Sequence, residues 1–483
     1  MDAKVQDGRR FRLSEDWLAV AIGLFLFLLS LATLGGWDLL GWVVTTKVWT
    51  SLAVALKPVS SGYGQLPGWL SLLLTYLFLL GLLSCGAMFL GVGLRKFASA
   101  FTLVFVISYV CWIAGGWAHI AATTNQHGSF GISWSLNLTS EAGYIIALIV
   151  GLLIGNFAPG WVGAMRGALL PELYIKTAIV VLGGFLGITA AEQLGLATSV
   201  IFRGLCAIVE AYLIYWALVY FVARKWFKFS REWSVPLASG ISICGVSAAI
   251  ATGSAIKARP VVPIMVSSLV VIFAVVELIA LPFIAQHFLH DEPMVAGAWM
   301  GLAVKTDGAA VASGAISESL ILAKAAEQGI RYQPGWIMAT TTTVKVFIDT
   351  FIAVWAFILA WIWSAKIERT TGGRISAVQI WERFPKFIIG YIATFGAVIL
   401  IGALSPGSVA LTKAAMNQAN VLRGIFFVMT FFTIGVVSDF RRLWAEGIGR
   451  LALVYVICLF GFIIWIGLVI SWLFFHGVKP PLL

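Results

Sequence analysis

The chain has 483 residues, of which 60% are hydrophobic and only 11% are charged, and its mean hydropathy is +0.98. These values exclude a soluble globular domain and predict an all-α polytopic membrane protein in contact with the lipid bilayer. The net charge of +11 comes from short basic segments between apolar stretches, which is the orientation signal of membrane proteins. We therefore expect no nucleic-acid partner.

The first 95 residues form a predicted N-terminal extension. Residues 1–16 are polar and carry Arg9, Arg10 and Arg12, which predicts a cytoplasmic N-terminus without a cleavable signal peptide. Two membrane spans are predicted, at about 17–34 and 67–93. We expect residues 1–95 to serve as scaffold or as the contact of a homodimer.

Residues 96–483 form the predicted transporter core and bring the number of spans to about eleven. Basic segments such as Arg224-Lys225 and Asp439–Arg442 recur at alternate loops. This alternation places the N-terminus in the cytoplasm and the C-terminus in the periplasm of a cell inner membrane. The further spans are predicted at about 98–121, 142–158, 173–191, 199–223, 261–286, 336–364, 386–404, 410–437 and 451–475.

Two further apolar stretches, 236–256 and 294–316, are crowded with Gly, Ser and Ala and carry a polar tip at mid-length. The tips are Ser242-Ile243-Cys244-Gly245 and Lys305-Thr306-Asp307-Gly308. Hydrocarbon cannot satisfy the backbone groups of a broken helix, so such a break must be buried in protein or line a cavity. Each stretch is therefore predicted to be two half-helices that meet near the membrane midplane.

Basic flanks on both sides predict that the first stretch is re-entrant from the cytoplasm. The number of crossings between this stretch and the next basic loop then predicts that the second stretch is re-entrant from outside. Two full crossings are the alternative, since they leave both termini in place. Residues 183–195 and 435–447 share their glycine spacing, which suggests an inverted-repeat architecture.

The two tips are the predicted substrate site. A helix N-terminus carries partial positive charge and unpaired N–H groups, which suit an anion. In this interpretation Gly245–Ser247 offer N–H groups, while Lys305 and Lys345 supply positive charge. The predicted substrate-binding residues are Ser242, Cys244, Gly245, Val246, Ser247, Lys305, Thr306, Gly308 and Lys345.

Ionisable residues inside a membrane are costly and are functional candidates by default. Asp307, Asp349 and Glu277 are predicted to couple transport to H+ or Na+, and Glu210 is a weaker candidate. Structural alternatives stay open. Lys345 and Asp349 can form an ion pair within one helix, and Thr306 or Asp307 can cap the second half-helix. Cys244 can be an inert buried thiol, and the small residues can serve helix packing.

The sequence contains no constellation of a metal site or an enzyme. The five cysteines form no CxxC pair, and no histidine lies in a tip. We therefore expect no metal, no cofactor and no enzymatic activity. A receptor role would need an appended soluble domain, which the sequence does not suggest.

Two motifs carry a family resemblance. The segments SGISICGVSAA and AVKTDGAAVASG resemble the two motifs of the YeiH-type sulfate exporter family, across roughly residues 96–483. The resemblance implies a broken-helix transporter with a moving core and a fixed scaffold, related to bile-acid symporters and cation/proton antiporters. Lys305 stands where that family has His, Thr306 where it has an acid, and Ala309 where it has Gln. Ile348 stands where it has a basic residue.

The sequence is therefore interpreted as a secondary active transporter that exports a small anion, such as sulfate or a related oxyanion or sulfonate. The alternative is a cation/proton antiporter of the same architecture, in which the Lys305/Asp307 pair exchanges protons for a metal ion.

Overall fold

The computed structural model describes residues 14–122, 126–136, 142–192, 194–259, 261–363, 386–438 and 449–483. Within these ranges, eleven helices are long and apolar enough to cross a membrane. The predicted all-α polytopic fold is thereby confirmed. These eleven helices, together with the shorter α4, α7, α8 and α10, are α1 Glu15–Leu31, α2 Gly68–Phe89, α3 Leu94–Gly115, α4 Ala142–Phe157, α5 Pro171–Glu192, α6 Gly195–Trp226, α7 Arg231–Ser242, α8 Gly245–Ala255, α9 Val261–Phe288, α10 Pro293–Ala303, α11 Asp307–Glu327, α12 Trp336–Ile362, α13 Phe387–Leu404, α14 Val409–Val437 and α15 Gly449–Phe475.

Short elements connect these helices. An antiparallel hairpin between α1 and α2 pairs β1 (Val44–Thr46) with β2 (Leu56–Pro58). The sequence predicted no strand between the spans 17–34 and 67–93, because strands of three residues leave no readable periodicity. The short helices are Ala118–Ala121, His127–Phe130 and Pro159–Met165, and 3₁₀ turns cover Ala32–Gly35, Leu52–Val54, Ser61–Tyr63, Arg166–Ala168 and Pro406–Ser408.

One helix ends in a sharp turn close to its predicted end, and another is longer than predicted. α4 has 16 residues, and the chain turns by 112° into Pro159–Ala168, because proline begins a new helix at that point. α11 continues to Glu327, well beyond the predicted end at 316. Its last ten residues, ESLILAKAAE, are mostly strong helix formers, so the helix extends past its apolar part.

The helices pack as two bundles. Bundle A contains α1–α5, α13 and α14, and bundle B contains α6–α12 and α15. Glycines allow backbones in bundle A to approach closely. A Cβ at Gly183 would lie 2.5 Å from the carbonyl oxygen of Tyr391, and a Cβ at Gly151 would lie 2.2 Å from that of Phe432. These contacts hold α5 against α13 and α4 against α14.

The N-terminal extension is part of bundle A. On α1, Asp16 lies 2.8 Å from Lys176 of α5, and Gly23 packs directly on Val180. α2 in turn packs against α3. The predicted roles of this region as scaffold or dimer contact stay predictions.

The first broken stretch is a hairpin. At its start, Glu232 accepts hydrogen bonds from the backbone N–H (2.8 Å) and Nε (2.9 Å) of Arg259, which follows its end. Val235 and Ile256 pack together one turn further in. The hydrogen bonds from Arg259 also lower the pKa of Glu232 below its ordinary value. Because both feet meet, α7 and α8 enter and leave at the same end of bundle B.

The second broken stretch is a hairpin as well. Just before α10, the carboxylate of Glu292 accepts a hydrogen bond from the N–H of Gly477 (2.9 Å). After α11, the N–H of Gln333 donates to the carbonyl of Pro481 (2.7 Å). Both feet therefore lie against the C-terminal tail, beyond the end of α15.

The two hairpins enter from opposite ends. Arg450, at the start of α15, donates to the carbonyl of Phe227 beside the foot of the first hairpin (2.9 Å). The 27-residue α15 spans about 40 Å between this foot and that of the second hairpin. Both stretches are therefore hairpins that enter bundle B from opposite ends, which agrees with the predicted re-entrant geometry and not with two full crossings. The inverted repeat stays a prediction, since residues 439–448 lie outside the described residues.

Candidate functional site

The tips of the two hairpins touch. α7 ends at Ser242 and α8 begins at Gly245, while α10 ends at Ala303 and α11 begins at Asp307. The N–H of Gly245 donates to the carbonyl of Lys305 at 2.6 Å. The structure therefore brings the two predicted tips together inside bundle B.

Local backbone geometry explains both breaks. Ile243 has φ −108° and ψ −85°, outside the helical region, and Val304 and Thr306 are extended. Gly245 is needed for packing, because a Cβ there would lie 2.2 Å from Cγ1 of Val270 on α9.

Lys345 of α12 reaches the first tip. Its Nζ donates to the carbonyl of Ile243 at 2.9 Å and lies 4.0 Å from Oδ1 of Asp349. The ion pair between Lys345 and Asp349 is therefore at the distance limit of an ion pair, and the shorter contact of Lys345 is its hydrogen bond to the tip. A positive charge at this carbonyl offsets the partial negative charge at the C-terminal end of α7.

Lys305 makes a similar contact in its own hairpin. Its Nζ donates to the carbonyl of Leu302 in the last turn of α10 and lies 4.5 Å from the ring centroid of Tyr215. Its backbone N–H donates to Oε2 of Glu277 (3.1 Å), whose Oε1 accepts from the hydroxyl of Tyr455 (3.2 Å). Both lysines thus satisfy carbonyls at the C-terminal ends of half-helices.

Glu210 lies beside this cluster and interacts electrostatically with Lys305. Among the described residues, neither of its carboxylate oxygens has a hydrogen-bond partner. The nearby hydroxyl of Tyr215 donates its proton elsewhere, to the carbonyl of Ile463 (2.8 Å). Glu210 opens a π-helical segment, a distortion that is frequent at functional sites. The sequence signal for this residue was its position inside a membrane span.

The cluster contains more acids than bases. Among the described side chains, three carboxyl groups and two amines are buried together, so full ionisation of these five groups leaves one excess negative charge. A buried charge without a partner is costly unless a proton or a cation compensates it. The five residues are Glu210, Glu277, Asp349, Lys305 and Lys345.

A cavity of about 60 Å³ separates the tip of the second hairpin from bundle A. Thr306 and Ala309 line it at the N-terminal end of α11, and Oγ1 of Thr306 accepts from the N–H of Ala309 (3.3 Å). The N-cap alternative for Thr306 is therefore confirmed. The volume is several times the roughly 10–15 Å³ that holds one water. The remaining lining residues are Leu148, Pro171, Glu172, Ile175, Ala274, Leu278, Phe431, Ile434 and Val437.

Other predicted site residues have different surroundings. Ser242 and Cys244 are buried at the first tip, and the hydroxyl of Ser242 has no hydrogen-bond partner among the described residues. The side chains of Val246, Ser247 and Asp307 lie outside the described part of the chain, as does the surface of Gly308.

Sequence reasoning did not find Glu318. Its carboxylate accepts from the N–H groups of Gly335 (2.8 Å) and Met338 (3.0 Å), and so caps the first turn of α12 from α11. It also did not find Tyr215, which shares the π-helical segment of Glu210, or Tyr455, which only the tertiary fold brings to Glu277.

Comparison with known proteins places the chain among membrane proteins. Residues 99–454 match the family described as conserved hypothetical protein 698. A UPF0324 membrane protein of Nitrosomonas europaea is 42% identical, with 97% of each chain covered. A UPF0324 membrane protein of Rhodopirellula baltica is 28% identical over 85% of this chain and 69% of its own. An uncharacterized protein of Archaeoglobus fulgidus is 50% identical over 30% of this chain and 90% of its own. No solved structure matches.

Proposed function

The chain belongs to the UPF0324 family of membrane proteins, and we propose that it is a secondary active transporter of a small anion. The observation that carries this proposal is the contact between two hairpin tips that enter bundle B from opposite ends. Paired interrupted helices of this kind form the substrate and ion sites of secondary transporters. We place the protein in a cell inner membrane with a cytoplasmic N-terminus, and assign it no cofactor and no enzymatic step.

The second tip favours an anion as substrate. The N-terminal end of α11 opens onto the cavity through Thr306 and Ala309, and this end carries partial positive charge. The two tip lysines offset the negative ends of α7 and α10. A cavity of about 60 Å³ suits an ion better than a drug-sized ligand, whose pockets measure roughly 300–1,000 Å³. Sulfate, sulfite and small sulfonates are the substrates we propose.

The position of the cavity suggests how access alternates. It lies between the two bundles, so a movement of bundle B along bundle A would carry the tips between the two membrane faces. The cavity walls on the bundle A side are mostly apolar, which permits sliding without breaking a polar network. Bundle A would then be the fixed scaffold and bundle B the moving core.

A cation/proton antiporter is the second candidate. It is favoured by the excess of acids over bases around Lys305, since such a cluster binds a proton or a small cation to balance its charge. In that case Glu210 and Glu277 would carry the exchanged ion, and the cavity would be its entry path.

Thermal stabilisation of the purified protein tests both proposals. The ligands are sulfate, sulfite, methanesulfonate, acetate, Li+ and Na+ at constant ionic strength. In the variant Ala309→Leu the larger side chain fills the cavity, and Ala217→Leu places the same change on the exposed face of α6 as the control. We expect one anion to stabilise the wild type and Ala217→Leu, with the effect lost in Ala309→Leu.

Two results would contradict the anion proposal. Stabilisation by Li+ or Na+ alone, changing with pH and lost in Glu210→Gln, would replace it with the antiporter. Stabilisation by an anion that persists in Ala309→Leu would place the binding site elsewhere in the protein.

A further inference from the structure

A second cavity, of about 470 Å³, lies where α6 ends and the first hairpin begins. Four cationic side chains and two aromatic rings line it. Among the described residues, no carboxylate lies within ion-pair distance of Lys225, Lys228 or Arg231. As far as the described residues go, the cavity is therefore a cationic site whose charges are not neutralised by carboxylates. Its lining residues are Tyr220, Phe221, Arg224, Lys225, Lys228 and Arg231.

The backbone holds these cations in place. A π-helical segment, Val222–Trp226, ends α6, and Lys228 adopts φ +56°, which reverses the chain toward the hairpin. The guanidinium of Arg224 donates to the carbonyl of Phe229. Arg450 from α15 stacks over the ring of Phe229 at 5.4 Å. Contacts within the loop after α6 and from α15 therefore hold the lining residues of this cavity in place without a bound ligand.

The surroundings of the cavity match the headgroup level of a membrane. Trp226, at the end of α6, is 58% exposed, and tryptophan is enriched at this depth. An exposed apolar stripe runs from the cavity along α6 through Phe221 and Leu213 toward Phe202. A free anion would contact only the cationic side chains. A phospholipid would contact these side chains with its headgroup and the apolar stripe with an acyl chain.

We propose that this cavity binds the phosphate headgroup of an anionic phospholipid, with an acyl chain lying along the exposed stripe of α6. Basic pockets at the ends of membrane helices bind anionic headgroups in this way. Lys228 lies just before α7 and Arg231 is the first residue of α7, so the bound lipid would contact the foot of the first hairpin. This proposal does not depend on which ion is transported.

Native mass spectrometry of the full-length protein in detergent tests the proposal. Phosphatidylglycerol is titrated against phosphatidylcholine with the same acyl chains, and against inorganic phosphate. The variant is Lys225→Ala/Lys228→Ala. The control is Lys47→Ala/Lys57→Ala, two lysines exposed on the segment between α1 and α2. At about 1 kcal/mol per cation, we expect the first pair to weaken phosphatidylglycerol binding by about 25-fold and the control pair to leave it unchanged.

A third variant, Lys225→Arg/Lys228→Arg, keeps the charges and should keep the affinity, which separates charge loss from misfolding. Equal affinity for phosphatidylcholine and phosphatidylglycerol would overturn the proposal. So would an equal loss of phosphatidylglycerol in both alanine pairs. Displacement of the lipid by an equal concentration of inorganic phosphate would instead identify a site for free anions.

Discussion

Lys345 is buried in bundle B, and its amine donates a hydrogen bond to the backbone carbonyl of Ile243. We predict that Lys345→Met lowers the free energy of unfolding by about 3–5 kcal/mol, because it leaves a buried acid, Asp349, without its nearby cation. The double variant Lys345→Met/Asp349→Asn should lose less than the two single variants together, since no uncompensated charge remains. Chemical unfolding in detergent micelles measures all three.

Lys413→Met is the control for this series. Its amine lies 2.9 Å from Glu192, but the side chain is half exposed, so the loss should stay below about 1 kcal/mol. Equal losses for Lys345→Met and Lys413→Met would show that the contact at the tip contributes no more than a surface ion pair.

Gly245 is the glycine on which the tip contact depends. We predict that Gly245→Ala destabilises the protein by about 1–3 kcal/mol, because the new methyl group overlaps Val270 on α9. Adding Val270→Ala removes the overlap and should recover part of the loss. Thermal unfolding measures the series.

Gly81→Ala on α2 is the matched control, since a Cβ there meets no atom within 4 Å. It should be neutral or stabilising by about 0.5–1 kcal/mol, as alanine favours a helix over glycine. If Val270→Ala leaves the loss at Gly245→Ala unchanged, the overlap with α9 is not its cause.

At the scale of these residues, the sequence identified the tips together with Lys345, Glu277 and Glu210, but not the tyrosines beside them. Gly245 and Lys305 stood out because small and charged residues are unusual inside an apolar stretch. Tyr215 and Tyr455 did not stand out, because aromatic residues are ordinary in membrane helices. Tyr455 comes near Glu277, and Tyr215 near Lys305, only when α15 and α6 pack against their neighbours.

The helices themselves were largely predictable from hydropathy and basic flanks. The basic flanks predicted the hairpin geometry but left two full crossings as an alternative. The structure favours hairpins, because Glu232 bonds Arg259 across the feet of the first and Glu292 bonds Gly477 of the C-terminal tail at the foot of the second. Hydropathy did not find the end of α11, where helix propensity continues beyond the apolar part. It also gave no sign of the short β1–β2 hairpin.

Cysteine labelling tests the hairpins as elements. In a Cys85→Ser background, which removes the exposed native thiol, single cysteines replace Arg231, Arg259, Asp291 or Gln328. A membrane-impermeant maleimide should label positions 231 and 259 from one side of oriented vesicles. It should label positions 291 and 328 from the other, because each pair marks the two feet of one hairpin.

The background variant alone controls for the four buried cysteines and should remain unlabelled from both sides. If positions 231 and 259 label from opposite sides, the first stretch crosses the membrane and is not a hairpin. The same reasoning applies to positions 291 and 328 and the second stretch.

The division into two bundles is a property of the whole molecule that no single stretch of sequence reveals. Hydropathy treats α5 and α9 alike, although one belongs to bundle A and the other to bundle B. The division becomes visible only through contacts between distant helices, such as Gly183 of α5 against Tyr391 of α13. It also places the cavity at the boundary, where movement of one bundle would change its access.

A cross-link between the bundles tests whether transport needs them to move. Glu192 at the end of α5 accepts a hydrogen bond from Gln333 of bundle B (2.6 Å) and also pairs with Lys413 of bundle A (2.9 Å). Cysteines at 192 and 333, joined by a short bis-maleimide, should abolish sulfate transport in proteoliposomes, because the link fixes bundle B against bundle A.

The same linker between cysteines at 192 and 413 is the matched control, since it joins two helices of bundle A and shares one position. Transport should survive this link with little loss. If both links abolish transport, the modification at 192 is itself harmful. If neither does, the bundles work as one rigid unit, and access to the cavity must alternate through movement of the hairpins within bundle B.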